Sequence, residues 1–193
     1  VRRGLWSESN QFSLYDQTIR ELPDLQMGII GYGVLGKAVA KMARALGMNV
    51  LIAEHRGCNP RPDRLSFEHV LATADVISLH CTLNEKTRGL FDRRVLRSMK
   101  PGAILINTAR GGIVVEQDLA DALRAGDIAG AGVDTLSVDP PPDDHVLLAP
   151  DIPNLIVTPH NAWASKGARQ ACIDKLAPEI IAYNHGMPMN RVV

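Results

Sequence analysis

Three short stretches of this 193-residue chain carry side chains from which chemistry could be built: Gly31-Tyr32-Gly33-Val34-Leu35-Gly36, Asn107-Thr108-Ala109-Arg110-Gly111-Gly112 and Thr158-Pro159-His160. Glycines at the first spacing let a backbone turn tightly and approach a pyrophosphate, whose charge is held by free N–H groups opening a helix. A guanidinium is a planar fork of donors, suited to holding a carboxylate and polarising the carbonyl beside it. Arg110 is the candidate for that task. An alkoxide left by hydride delivery needs a proton from an acid that titrates near neutral pH, and imidazole is the natural supplier. His160 is the candidate there. Each motif also has an ordinary reading: a turn without ligand, a surface arginine capping a loop, a structural histidine. Together and in this order they are the parts that hydride exchange between a nicotinamide and an anionic substrate requires.

The surrounding pattern supplies elements to position them. Gln26 to Ile30 reads as a buried strand, and Lys37 to Leu46 reads as a helix with apolar residues three and four apart, stopped by Gly47. A second strand, Asn49 to Ala53, ends in Glu54. A carboxylate at that point accepts ribose hydroxyls and repels a 2′-phosphate, which favours NAD over NADP; the adjacent His55 and Arg56 weaken the preference. Beyond a connector from Arg56 to Arg64, the chain predicts a helix at Phe67–Ala72, a strand at Asp75–Leu79 and a helix at Asp92–Met99. Further strands are predicted at Ala103–Ile106, Ile128–Val133 and Leu155–Val157, with a helix from Glu116 to Ala125 ended by Gly126. Short β-branched runs alternating with helices imply an α/β fold, a doubly wound parallel sheet of about six strands with right-handed crossovers. Ligands in such sheets collect beyond the carboxyl ends of the strands. Glu54, His80, Asn107 to Arg110, Asp134 and His160 all fall there.

Composition narrows the field. Lys plus Arg and Asp plus Glu are both 21 and aromatics are 4%, which argues against a nucleic-acid surface. Cys58, Cys81 and Cys172 have no metal-binding spacing, so no metal is expected, and a reduced, cytoplasmic setting fits them. No apolar run is as long as a membrane span, no charged-then-apolar leader is expected, and no internal repeat is visible.

From about Leu25 to Ala164 the ordered motifs resemble the nucleotide-binding domain of the D-isomer-specific 2-hydroxyacid dehydrogenases. His160-Asn161-Ala162-Trp163 and Leu147 to Asn154 look most like the glycerate dehydrogenase or hydroxypyruvate reductase branch. The resemblance implies a Rossmann-like NAD-binding domain of an oxidoreductase for small 2-hydroxy or 2-keto acids, of glycerate/hydroxypyruvate or glyoxylate type, dimeric through that domain. It also implies a division: 1–24 as a crossover into the nucleotide domain, 25–164 as that domain, and 165–193 as a helix and tail returning to a substrate domain. The N-terminal part of that substrate domain is expected to be absent here, and Cys172, Ile173, Leu176, Ile180 and Ile181 would pack partly on it.

The family's site residues carry over onto matching positions. Asp134 is expected to accept the carboxamide N–H of nicotinamide, with Gly31, Gly33, Val34, Leu35, Gly36, Glu54, Cys81, Thr82, Thr108, Ala109 and Ala162 as further cofactor neighbours. Where the family has a glutamate before a proline, paired with the histidine, this chain has Asp139-Pro140. Asp139 is one methylene shorter and pairs only if its loop shifts or a water bridges; otherwise it is a loop acid. Asp143 and Asp144 are expected to face solvent, and His55, His69, His80, His145 and His185 are read as ordinary, His80 with a place near the cofactor. Thr135-Leu136, for the commoner Val-Phe, should alter packing more than chemistry. Two other classes remain open. One is an NAD(H)-sensing, dimerising, corepressor-like module, disfavoured by the lack of basic or peptide-docking features. The other is an adenosyl-cofactor or homocysteine-linked enzyme, disfavoured by Arg110 and His160 in family order.

Overall fold

The computed structural model describes residues 4–15 and 19–190, so parts of the expected crossover (1–3 and 16–18) and the end of the tail (191–193) lie outside the described residues. Six strands, β1 (Gln26–Ile30), β2 (Asn49–Ile52), β3 (Val76–Leu79), β4 (Ile104–Asn107), β5 (Gly130–Val133) and β6 (Leu155–Val157), form one sheet in the order β2-β1-β3-β4-β5-β6. All five neighbouring pairs are parallel. The helices are α1 (Val34–Ala45), α2 (Phe67–Thr73), α3 (Arg93–Arg97), α4 (Glu116–Ala125) and α5 (Lys166–Asn184). The doubly wound parallel sheet expected from the alternation is therefore what forms.

Alternation within the strands divides the core. Ile77 and Leu79 on β3 join Ile30, Leu105 and the α2–α4 side chains Phe67, Leu96 and Leu119 in the larger cluster. Phe67 meets Phe91 edge to face, with ring centroids 5.9 Å apart. Ile29 and Ile52 point to the other face, where Ala40 on α1 covers them. That face is open farther along the sheet, with Ile104 and Ile156 exposed. Burying a side chain such as Phe91 contributes about 1.5–3 kcal/mol.

The edge where β3 begins is fastened by a charge. Asp75 is buried, and its carboxylate accepts from Gln26 N–H of β1 (2.9 Å), Lys100 Nζ (2.7 Å) and Arg20 Nη1 (3.1 Å). Burial alone would raise this carboxyl; the lysine, the backbone donor and the arginine outweigh it and hold it below the ordinary aspartate range.

One boundary shift and one unexpected turn have physical reasons. Periodicity places the start of α1 at Lys37, but Gly33 is its N-cap and the helix opens at Val34. The exposed Val34 and Leu35 conceal that first turn from a search for buried apolar positions. Val146–Leu148 forms a short 3-10 turn that the loop-like sequence after Pro142 did not suggest.

Candidate active site at the carboxyl edge of the sheet

Strand order reverses at β1: the chain goes out to β2 and returns to β3 on β1's other side, leaving a crevice between the β1 and β3 ends. The glycine turn lies in that crevice. Gly31 has φ +94°, and a Cβ there would sit 2.5 Å from the Cys81 backbone nitrogen, so the turn touches the end of β3. A Cβ on Gly36 would stand 2.1 Å from Gly31 O, which makes the strand-to-helix approach possible only for glycine. Gly33 is different: a Cβ there would meet nothing within 4 Å, and no side chain caps the helix start. The open helix N-terminus, with Val34 and Leu35 exposed, is a cradle that fits a pyrophosphate.

At the end of β2 the structure changes an expectation. Glu54 is buried, and its carboxylate is already gripped by Arg61 through Nε (2.6 Å) and Nη2 (2.7 Å), by His55 through backbone N–H (2.9 Å) and Nδ1 (2.8 Å), and by Arg64 at 3.4 Å. The Arg61 fork, aided by the His55 bonds, holds the Glu54 carboxyl far below the ordinary glutamate range. This is not the free acid that would repel a 2′-phosphate. Basic groups also flank the turn, with Lys37 and Arg64 each within 6 Å of the Tyr32 ring centre at 5.8 and 5.9 Å.

Beyond β3, His80 Nε2 meets Ser78 Oγ at 2.9 Å, and burial pushes its imidazole down and the neighbouring Cys81 thiol up. Burial thus favours the neutral form of both groups beside the glycine turn. Thr82 follows, exposed at the same edge.

At the end of β4, Asn107 is buried and shapes the next loop: its Oδ1 accepts from Ala109 N–H (3.1 Å) and its Nδ2 donates to Arg110 O (3.0 Å). Thr108 and Arg110 are left exposed on that turn. The Arg110 guanidinium rests on the Ala109 carbonyl (Nη1 to O, 2.6 Å). Gly111 packs so tightly on the next loop that a Cβ would fall 1.9 Å from Leu136 O, which brings the arginine loop against the segment leading to Asp139.

Asp134 and Thr158 build the last corner. The Asp134 carboxylate is buried and accepts from Thr158 Oγ1 (2.6 Å), Asn161 N–H (3.0 Å) and Ala162 N–H (3.0 Å). Burial would raise its carboxyl, but those three donors and the nearby His160 outweigh it and lower it. Asp134 is thus a brace for the loop carrying His160, and a carboxamide would have to use its remaining lone pair. Held this way, His160 adopts φ +49°, uncommon for a side-chain-bearing residue. Its Nδ1 lies 2.8 Å from Asp139 Oδ2, so the shorter acid does reach it without a bridging water. Both side chains stay accessible, 39% and 33% exposed. Asp143 and Asp144 face solvent, as expected.

The structure therefore brings Arg110, Asp139 and His160 onto three adjacent strand ends, with the glycine cradle two strands away. Sequence reasoning missed Arg61 and Glu116, gave Thr158 no role of its own within the motif carrying His160, and passed over His145. Glu116 was read only as a helix start, yet it accepts from Ser137 and His145. The signal lay in partners far along the chain. Among the described residues, no group of three His, Cys, Asp or Glu could hold a metal ion. Among them, too, no helix is long and apolar enough to cross a membrane.

A parallel doubly wound sheet with a glycine turn and open helix N-terminus at its switch point defines a dinucleotide-binding domain. The family model described as "D-isomer specific 2-hydroxyacid dehydrogenase, NAD binding domain" matches residues 1–162, and the chain belongs to that family, with NAD as its cofactor. It is 46% identical over 192 residues to a glycerate dehydrogenase of Methylorubrum extorquens, covering 100% of this chain and 60% of that protein. A hydroxypyruvate reductase of Blautia hydrogenotrophica is 38% identical over 197 residues, again covering 100% and 60%. The NAD-complexed D-isomer specific 2-hydroxyacid dehydrogenase of Lactobacillus delbrueckii ssp. bulgaricus superposes with a TM-score of 0.81 at 31% identity, over 99% of this chain and 63% of that one. The chain thus spans about 60% of the length of these relatives.

Proposed function

We propose that this chain is the NAD-binding part of an oxidoreductase that interconverts a small 2-hydroxy acid and its 2-keto acid, of glycerate/hydroxypyruvate or glyoxylate type. The observation that carries the reading is the 2.8 Å contact between His160 Nδ1 and Asp139 Oδ2, on a loop in backbone contact with the Arg110 loop. When bound, NADH supplies the hydride that reduces the substrate carbonyl.

The chain's own groups divide the remaining work. Ionised Asp139 only accepts hydrogen bonds, so the proton between it and His160 belongs to Nδ1. Nε2 is then the nitrogen that gives a proton to the forming alkoxide and takes it back in the oxidative direction. Arg110 leaves the Ala109 carbonyl and turns to the substrate, holding its carboxylate and polarising its carbonyl. Gly31, Gly33, Val34, Leu35 and Gly36 receive the pyrophosphate, and Glu54 lies at the ribose end. Cys81, Thr82, Thr108, Ala109, Asp134 and Ala162 line the approach to the nicotinamide.

Residues 25–164 serve as the nucleotide domain in this proposal, with 1–24 and 165–193 as connections to a substrate domain and the nucleotide domains pairing in a homodimer. The exposed Ile173, Leu176, Ile180 and Ile181 on α5 support such a connection. The longer protein should be assayed with NADH against hydroxypyruvate, glyoxylate, pyruvate and phosphohydroxypyruvate. His160→Gln should lower kcat by roughly 10²–10⁴ with NADH affinity retained. Undiminished turnover in that variant would sink the reading.

A further inference from the structure

Asp139 lies in a loop whose own backbone can do little to hold it. Pro140, Pro141 and Pro142 have no N–H to donate. The carboxylate of Glu116, first residue of α4, ties both ends of that loop instead. Glu116 Oε1 accepts from Ser137 N–H at 2.6 Å, and Oε2 accepts from Ser137 Oγ at 2.6 Å. At the other end, His145 Nε2 lies 3.1 Å from Oε2. The direction of that bond is set locally: His145 Nδ1 accepts from Leu147 N–H at 3.2 Å, so the ring proton of the neutral imidazole is on Nε2 and points at Glu116. The Glu116 and His145 side chains are 14% and 8% exposed, which shelters their contact, while Ser137 stays at the surface.

We propose that Glu116 is a positioning residue for the proton-transfer pair, its carboxylate closing the base of the Ser137–His145 loop and so setting the reach of Asp139 to His160. The inference rests on reading Asp139 and His160 as that pair. Between clasp and acid lie only two peptide links, and Asp139 Oδ1 accepts from Leu136 N–H at 3.3 Å, which ties the acid's own side chain to the residue beside Ser137. Gly111 packs on the same segment, its missing Cβ admitting the Leu136 carbonyl. The Leu136–Ser137 peptide is therefore gripped by Glu116 and packed against the arginine loop. Releasing the grip leaves Asp139 charged but free to swing toward solvent, and the imidazole loses the acceptor that keeps its proton on Nδ1.

The test reads that proton directly and needs no substrate. Long-range nitrogen–proton NMR spectra of the neutral His160 ring, in the 193-residue chain labelled at histidine, distinguish the Nδ1–H from the Nε2–H tautomer. The unaltered chain should show Nδ1–H, and Asp139→Ala should move the ring toward Nε2–H, which unconstrained imidazole favours. Glu116→Ala should produce at least half of that displacement, and adding it to Asp139→Ala should change nothing further. Ser137→Ala and His145→Ala, which each cut one tie, should move the ring less and in the same direction, and they carry the test if Glu116→Ala does not fold. A ring that responds to Asp139→Ala but not to loss of the clasp overturns the positioning role. A ring indifferent to Asp139→Ala overturns the pair itself, and the clasp with it.

Discussion

Glu54 shows how a side chain's identity and its chemical state part company. Its position after β2 was legible in the sequence, because a short apolar strand running into an acid is a local pattern. Its partner was not, since Arg61 looked like one more basic residue in a Pro- and Arg-rich connector. With the fork at 2.6 and 2.7 Å, the carboxylate is electrically covered, and the proposed ribose end is lined with positive charge. Removing Arg61 uncovers the acid. Arg61→Ala should therefore weaken NADPH relative to NADH by about tenfold or more, the worth of a hydrogen bond to a charged group. Parallel calorimetric titrations with the two cofactors check this, and equal changes would mean that Arg61 does not govern the ribose end. Asp139 was legible in the same partial way. Its departure from the expected glutamate could be read off the chain, whereas its 2.8 Å reach to His160 depends on loops from three strand ends.

At the scale of elements, the strands were readable as short apolar runs and α1 and α4 by apolar residues three and four apart, whereas α5, which buries no residue, was legible only through the family resemblance. What periodicity cannot express is a contact between backbones. The β1–α1 unit is the case in point: Gly36 is inside α1, and its value lies in the atom it lacks. Gly36→Ala places a methyl group 2.1 Å from Gly31 O, against rigid backbone. That substitution should cost about 1–3 kcal/mol of stability from overpacking. By splaying the turn, it should also abolish detectable NADH binding while the sheet survives. Thermal melts and cofactor titration of one purified variant read both effects. The loops after β4, β5 and β6 were recognisable as site-bearing only by motif, since Asn107 shapes its own loop through backbone groups and the bonds of Asp134 and Glu116 run to partners in other loops.

The whole molecule is a half-covered sheet with its chemistry along one edge and its fastening at the other. Phe91 is fully buried against Phe67, and Phe91→Ala should remove about 3–5 kcal/mol, seen as a lower denaturant midpoint. Asp75 gives the opposite edge a dependence on acid. Because folding lowers its carboxyl pKa, the stabilisation is present above the unfolded aspartate range and is lost as pH falls through the lower, folded value. Asp75→Asn should destabilise the chain by about 1–3 kcal/mol near neutral pH and flatten the acid limb of its stability curve, measured by urea unfolding across that range. The open face at Ile104 and Ile156 and the apolar side chains on α5 fit a protein in which this domain is one part. The residues proposed to hold the nucleotide, by contrast, all lie within the described residues. Calorimetric titration of NADH into the 193-residue chain at neutral pH should give saturable one-to-one binding that disappears in Gly36→Val. No binding by a chain that still melts cooperatively would rule out the proposed nucleotide site.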